Sequence, residues 1–77
     1  MMEERVLSIL GEIGIAEEFE DSEDFLGDGL LDSFGVIALV GALEEEFKIE
    51  IDGEDIILEN FNNVEAIVKL VNKLSAK

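Results

Sequence analysis

Residues 29–47 read GLLDSFGVIALVGALEEEF and place a serine where a glycine-containing loop gives way to a long apolar segment. This pattern predicts a helix over Ser33–Phe47, with Asp32 or Ser33 as its N-cap. A first apolar stripe follows one face of that helix and contains Val36, Leu39, Val40, Leu43 and Phe47. A second stripe, offset around the helix, contains Phe34, Ile37 and Gly41. One stripe must face the core, and the other either packs on the loop or stays open for a partner.

A first helix is predicted from Met2 to Ile13, where apolar residues again recur at helical spacing and Gly14 can end the helix. Residues 15–31 hold too few apolar residues for another long helix and are predicted to form a long loop. A structureless loop of this length tends to be functional in a compact domain. The apolar residues expected to pin it to the core are Phe19, Phe25, Leu26, Leu30 and Leu31.

The C-terminal third predicts a short helical turn near residues 53–58 and a last helix that opens at residues 62–65. Asn62 at the N-cap and Glu65 three residues later resemble a capping box. Apolar residues expected to line one face of that helix are Val64, Ile67, Val68, Val71 and Leu74. The predicted fold is therefore all-α, a four-helix bundle of three long helices and one short helix, in a single domain over residues 1–77.

The composition excludes several classes of function. The chain of 77 residues carries 20 acids against 5 bases, for a net charge of −15. Nucleic acid and anionic membrane surfaces would be repelled, whereas basic protein partners would be attracted. No apolar run approaches the roughly 20 residues of a membrane span. The acidic N-terminus lacks a signal-peptide pattern, so a cytoplasmic location is the default prediction. The protein is expected to be a monomer.

The residue types present give little support for a metal site or for redox chemistry. The chain has no cysteine and no histidine, which excludes disulfides and thiolate zinc sites. The acidic loop also fails the EF-hand pattern. With Asp28 and Gly29 as loop positions 5 and 6, Leu26 and Gly35 fall where ligands are needed. No metal site is predicted.

Ser33 has three interpretations. As an N-cap it would satisfy a free amide of the helix, and its replacement by alanine would cost about 0.5–2 kcal/mol. As a nucleophile it fails, because histidine is absent, no lysine base is near in sequence and the G-x-S-x-G context is missing. As the acceptor of a phosphate-bearing group it is well placed, since a helix N-terminus offers free amides and a positive dipole end.

Two further features of the same helix have open interpretations. Glu44, Glu45 and Glu46 lie in its last turn, where acids oppose the helix dipole. They form either a solvated face or a docking surface for a partner. Gly41 costs about 1 kcal/mol relative to alanine in a helix interior. It marks tolerated drift, tight helix packing or a shallow spot where a partner or cargo approaches closely.

Asp32-Ser33-Phe34 resembles the Asp-Ser-Leu attachment motif of acyl carrier proteins, and the segment through Phe47 is similar to their second helix. The resemblance covers nearly the whole chain. It implies a non-enzymatic carrier whose Ser33 bears 4′-phosphopantetheine, taken from coenzyme A by a magnesium-dependent phosphopantetheinyl transferase. It implies that Asp32 assists this attachment. It also implies acyl or aminoacyl cargo held as a thioester for fatty-acid, polyketide or related biosynthesis.

The resemblance also implies where partners dock. Basic-faced acyl-transfer, condensing or adenylating enzymes would contact the acidic run and the second stripe, that is Phe34, Ile37, Glu44, Glu45 and Glu46. Gly35 and Ala38 stand where fatty-acid carriers tend to have acids. In this respect the segment is closer to D-alanyl and peptidyl-type carriers, which receive amino acids from adenylating enzymes. The alternative to a carrier is an unmodified acidic helical adaptor that binds a basic protein.

Overall fold

The computed structural model describes residues 2–76, and its helices confirm the all-α class. Five α-helices follow in order: α1 Met2–Ile13, α2 Ala16–Asp21, α3 Ser33–Phe47, α4 Leu58–Phe61 and α5 Val64–Ser75. A 3₁₀ turn, Gly53–Asp55, precedes α4. No strand occurs within residues 2–76. The three long helices were predicted, and α1 and α3 have the predicted bounds.

The region between α1 and α3 differs from the prediction of a long loop, because its first part is the helix α2. Phe19 lies in α2 and is buried against the core. Gly14 makes room for it, since a Cβ on Gly14 would lie 3.0 Å from the Phe19 ring. Glu17 and Glu18 in the first turn of α2 suit the positive end of the helix dipole. A helix of six residues with one large apolar side chain is too short to display a helical period.

The remainder of that region, residues 22–32, is held to the rest of the fold through Phe25. The ring of Phe25 is fully buried and meets the Phe19 ring edge-on, with centroids 4.9 Å apart. Its amide donates to the Asn62 carbonyl at 2.7 Å. Its own carbonyl accepts from the amides of Leu30 and Leu31. The backbone of Phe25 therefore links the residues just before α3 to the residue pair just before α5.

The core is formed mainly by α1, α3 and α5, with contributions from the segments between them. Its buried residues are Val6, Ile9, Leu10, Phe19, Phe25, Leu31, Leu39, Leu43, Ile51, Phe61, Ile67, Leu70, Val71 and Leu74. The first stripe of α3 faces this core, as Leu39 and Leu43 are fully buried. The second stripe faces outward, since Phe34 is 84% exposed and Ile37 is 68% exposed.

The start of α5 lies one residue later than predicted. Asn63, not Asn62, is the N-cap, and its Oδ1 accepts from the Ala66 amide at 2.8 Å. Glu65 is therefore the second helical residue, so the predicted capping box is wrong. Two consecutive asparagines offer equally good local caps. Tertiary contacts decide which asparagine is the cap. Asn63 Nδ2 also donates to the Glu23 carbonyl, and the Asn62 carbonyl accepts from the Phe25 amide.

Candidate functional site

Ser33 is the first residue of α3, and the cap of that helix is its neighbour Asp32. Asp32 has an extended backbone, and its Oδ1 accepts from the Gly35 amide at 2.8 Å. The Val36 amide donates to the Asp32 carbonyl in the first helical hydrogen bond. The alternative that Ser33 is the cap is therefore wrong. The hydroxyl of this exposed serine takes no part in capping, so its modification would leave the helix start intact.

Gly35 allows this helix start to pack closely. A Cβ at Gly35 would lie 2.8 Å from Leu31 Cδ1 and 3.3 Å from Asp32 Oδ1. Leu31 is buried below the first turn, so it has little room to move away. The glycine thus permits both the burial of Leu31 and the Asp32 cap. The sequence showed Gly35 as a departure from the fatty-acid carriers but gave no sign of this steric reason.

Two backbone amides at the helix start remain available to an anion, although the Asp32 carboxylate already accepts from the Gly35 amide. The amides of Ser33 and Phe34 lie in the first turn of α3. They have no partner within the helix, because no helical carbonyl lies four residues before them. The first turn contains no acidic residue. The helix dipole adds a partial positive charge at this end. A phosphate-bearing group on the Ser33 hydroxyl is therefore compatible with its surroundings, even in a chain of net charge −15.

An apolar cleft of about 300 Å³ opens beside the serine. It lies between the start of α3 and the segment 56–61, and Leu26 closes one side. Its lining residues are Leu26, Ser33, Val36, Ile37, Ile56, Ile57, Leu58 and Phe61. Ser33 is the one polar residue among them. The sequence grouped Phe34 and Ile37 with Ser33 but missed residues 56–58, because nothing local shows that this segment lies across from the start of α3.

Two of the three acids at the C-terminal end of α3, Glu44 and Glu46, form hydrogen bonds with other parts of the chain. The half-buried Glu44 accepts from the Ile51 amide through Oε2 at 2.9 Å. Glu46 is paired with Arg5, whose Nη2 lies 2.8 Å from Oε2 and also donates to the Glu46 carbonyl. The Arg5 guanidinium lies 4.4 Å from the centre of the Phe47 ring. A base from α1 thus offsets the unfavourable placement of acids at the end of α3.

Glu44 and Glu45 should respond differently to truncation. Glu44→Ala leaves the Ile51 amide without its partner in a partly buried position and should destabilise the protein by about 1–3 kcal/mol. Glu45→Ala, at an exposed position without such a bond, should stay within about 0.5 kcal/mol of wild type. Urea unfolding of the two variants measures the difference. Equal stability would show that the Glu44 bond contributes nothing.

Gly41 is not explained by tight helix packing. It is exposed, and a Cβ built on it meets no atom within 4 Å among residues 2–76 outside the adjacent backbone of its own helix. Tight helix packing is therefore wrong, and tolerated drift and the approach of a partner are the interpretations that remain. The glycine leaves a shallow spot on the same face as Phe34 and Ile37.

The fold is a small helical domain with an exposed serine at the start of α3. A family model described as the phosphopantetheine attachment site matches residues 4–71. The chain therefore belongs to this family, and it is a carrier protein that bears covalent 4′-phosphopantetheine. Such carriers are generally non-catalytic and interact with phosphopantetheinyl transferase and acyl-handling enzymes.

None of the helices in residues 2–76 has the length and apolarity that a membrane crossing requires. No group of acidic side chains in the same residues has the arrangement of a metal site.

Proposed function

We propose that Ser33 is the attachment residue and that the chain carries acyl or aminoacyl groups as thioesters on its phosphopantetheine arm. The observation that supports this most directly is the exposed Ser33 hydroxyl at the start of α3, next to an apolar cleft, in a helix capped by Asp32. In this proposal the chain is one monomeric, cytoplasmic carrier domain over residues 1–77. It serves fatty-acid, polyketide or related biosynthesis.

The surroundings of Ser33 suit the group. A phosphodiester on Oγ would lie at the N-terminus of α3, where the Ser33 and Phe34 amides and the dipole favour negative charge. Asp32 uses Oδ1 for the cap, which leaves Oδ2 for a transferase-bound magnesium ion. The bound arm supplies the thiol that a chain without cysteine lacks.

Attachment is a phosphoryl transfer in which the chain contributes the acceptor. The Ser33 Oγ forms a bond to the phosphorus of the pantetheine phosphate, and the pyrophosphate bond of coenzyme A breaks. Adenosine 3′,5′-bisphosphate leaves, and the hydroxyl proton passes to a base of the transferase. A base supplied by the transferase is consistent with the chain having no histidine.

Partner docking is proposed for Phe34 and Ile37 beside the serine and for the acidic run Glu44–Glu46. Within that run, Glu45 is the best candidate for a basic partner. Glu44 already accepts a backbone hydrogen bond and Glu46 is already paired with Arg5. The absence of acids in the first turn of α3 favours an apolar contact near Ser33, as expected of a carrier loaded by an adenylating enzyme.

Mass spectrometry tests the proposal. The purified apo protein is incubated with coenzyme A, magnesium and a broad-specificity phosphopantetheinyl transferase, and then digested. We expect one added phosphopantetheine per chain, located on the peptide that contains Ser33 and not on those with Ser8, Ser22 or Ser75. A chain that stays unmodified would favour the acidic adaptor, whose binding to a basic protein would not depend on Ser33.

A further inference from the structure

We propose that Asn63, at the start of α5, is a positioning residue for Ser33. Its side chain ties the loop that leads into α3, residues 22–32, to the start of α5. The inference rests on the proposed function, because it concerns how Ser33 is presented to the enzyme that attaches the arm. Asn63 acts on the serine through the loop.

The side-chain amide of Asn63 makes two hydrogen bonds to two separate parts of the chain. Its Oδ1 accepts from the Ala66 amide at 2.8 Å, which caps α5. Its Nδ2 donates to the Glu23 carbonyl at 3.2 Å. The cap alone requires only an acceptor, which serine and aspartate offer equally well. The donor is what distinguishes asparagine from these residues, and in this structure it serves the loop.

A second hydrogen bond joins the same two segments through the backbone. The Phe25 amide donates to the Asn62 carbonyl at 2.7 Å. Glu23 and Phe25 are therefore bonded to adjacent residues just before α5. Two fixed points define the direction of the loop as well as its position. Without the Nδ2 bond, the loop could pivot about Phe25, whose ring remains buried.

Phe25 also connects this loop segment to the start of α3. Its carbonyl accepts from the Leu30 amide at 2.8 Å and from the Leu31 amide at 3.2 Å. Leu31 is buried below the first turn of α3, and the next residue, Asp32, caps that helix. A shift of the loop near Phe25 is therefore transmitted to the residues directly before Ser33.

The same loop supplies one side of the cleft beside Ser33, because Leu26 lines that cleft. The opposite side, residues 56–58, is also tied to α5, since the neighbouring Asp55 lies 3.4 Å from Lys73 Nζ. The helix α5 thus supports both sides of the cleft. The loop side depends on the asparagine for its side-chain contact with that support.

Steady-state kinetics of arm transfer test the proposal, with a broad-specificity phosphopantetheinyl transferase as the enzyme and the apo protein as the varied substrate. Asn63→Asp keeps the acceptor for the cap but sets a carboxylate oxygen against the Glu23 carbonyl. Asn63→Ser keeps a capping hydroxyl and lacks the amide donor. Both should raise KM about threefold or more and leave kcat within about twofold, because a smaller fraction of the protein presents Ser33 in the fixed position.

Amide hydrogen exchange of Asn63→Asp supplies a local readout that a loss of overall stability would not produce. The Phe25, Leu30 and Leu31 amides should exchange about fivefold faster or more, since the loop opens more easily without the Nδ2 bond. The Ala66 amide keeps its cap and should exchange within about twofold of wild type.

The neighbouring asparagine provides the matched control. The contact of Asn62 with Phe25 uses the backbone carbonyl, which alanine retains. Asn62→Ala should therefore leave both KM and the exchange of the loop amides unchanged. Asn63→Ala removes the cap together with the loop bond, so it should combine a lower Tm with the raised KM.

Three outcomes would overturn the proposal. An unchanged KM in Asn63→Asp and Asn63→Ser, with Ser33 still modified, would show that the loop bond does not position the serine and would leave the carrier function standing. A KM that rises only in Asn63→Ala, in step with a lower Tm, would reduce Asn63 to a cap of α5. A wild-type chain that gains no arm would reject the carrier function and with it this inference.

Discussion

Ser33→Ala is expected to abolish the mass gain from coenzyme A while leaving the free energy of unfolding within about 0.5 kcal/mol of wild type. The first effect follows because Ser33 is the one hydroxyl-bearing residue in the sequence of α3. The second follows because Asp32, not Ser33, accepts the hydrogen bond that caps the helix. Intact-mass spectrometry and urea unfolding of the same preparation measure both.

Two variants control this result. Ser75→Ala, at the last residue of α5, should take up the arm as wild type does. Asp32→Ala should lose about 0.5–2 kcal/mol through the missing cap. It should also slow attachment, if Asp32 assists the transferase. A mass gain that persists in Ser33→Ala would move the attachment to another residue.

The elements that the sequence predicted well are those with a long apolar period. In α1 and α3 apolar residues recur over three or more turns, so both their bounds and the core-facing stripe with Leu39 and Leu43 could be predicted. The helix α2 could not, because Phe19 is its single buried residue and its stability depends on burial against the core. The choice between Asn62 and Asn63 likewise depends on partners distant in sequence.

The candidate site likewise has features that could be predicted from the sequence and features that could not. Ser33 at a helix start and the outward-facing Phe34 and Ile37 could be predicted, since both depend on local order and helical spacing. The internal partners of Glu44 and Glu46 could not, because the Ile51 amide and Arg5 reach them only in the folded chain. For the same reason the sequence treated the three acids as equivalent, whereas the structure leaves Glu45 the most available to a partner.

Phe25 and Phe34 are the same residue type in opposite environments, since Phe25 is buried in the core and Phe34 is exposed beside Ser33. Phe25→Ala should destabilise the protein by about 3–5 kcal/mol, the usual cost of removing a fully buried aromatic ring. That loss is a large part of the about 5–15 kcal/mol by which a typical domain is stable. Phe34→Ala removes the same side chain from an exposed position and should change the free energy of unfolding by about 0.5 kcal/mol at most.

Urea unfolding and the kinetics of phosphopantetheine transfer are measured on both variants. The urea midpoint should change more in Phe25→Ala, and the KM for the transferase should change more in Phe34→Ala. Phe25→Ala should lower the urea midpoint strongly, and its effect on attachment should follow the folded fraction, because the Phe25 ring is buried away from any partner. Phe34→Ala should keep the midpoint and raise KM for the transferase. A strongly destabilised Phe34→Ala would assign that ring to the core. A Phe25→Ala protein with unaltered stability would show that the packing of the Phe25 ring on Phe19 does not hold the segment before Ser33.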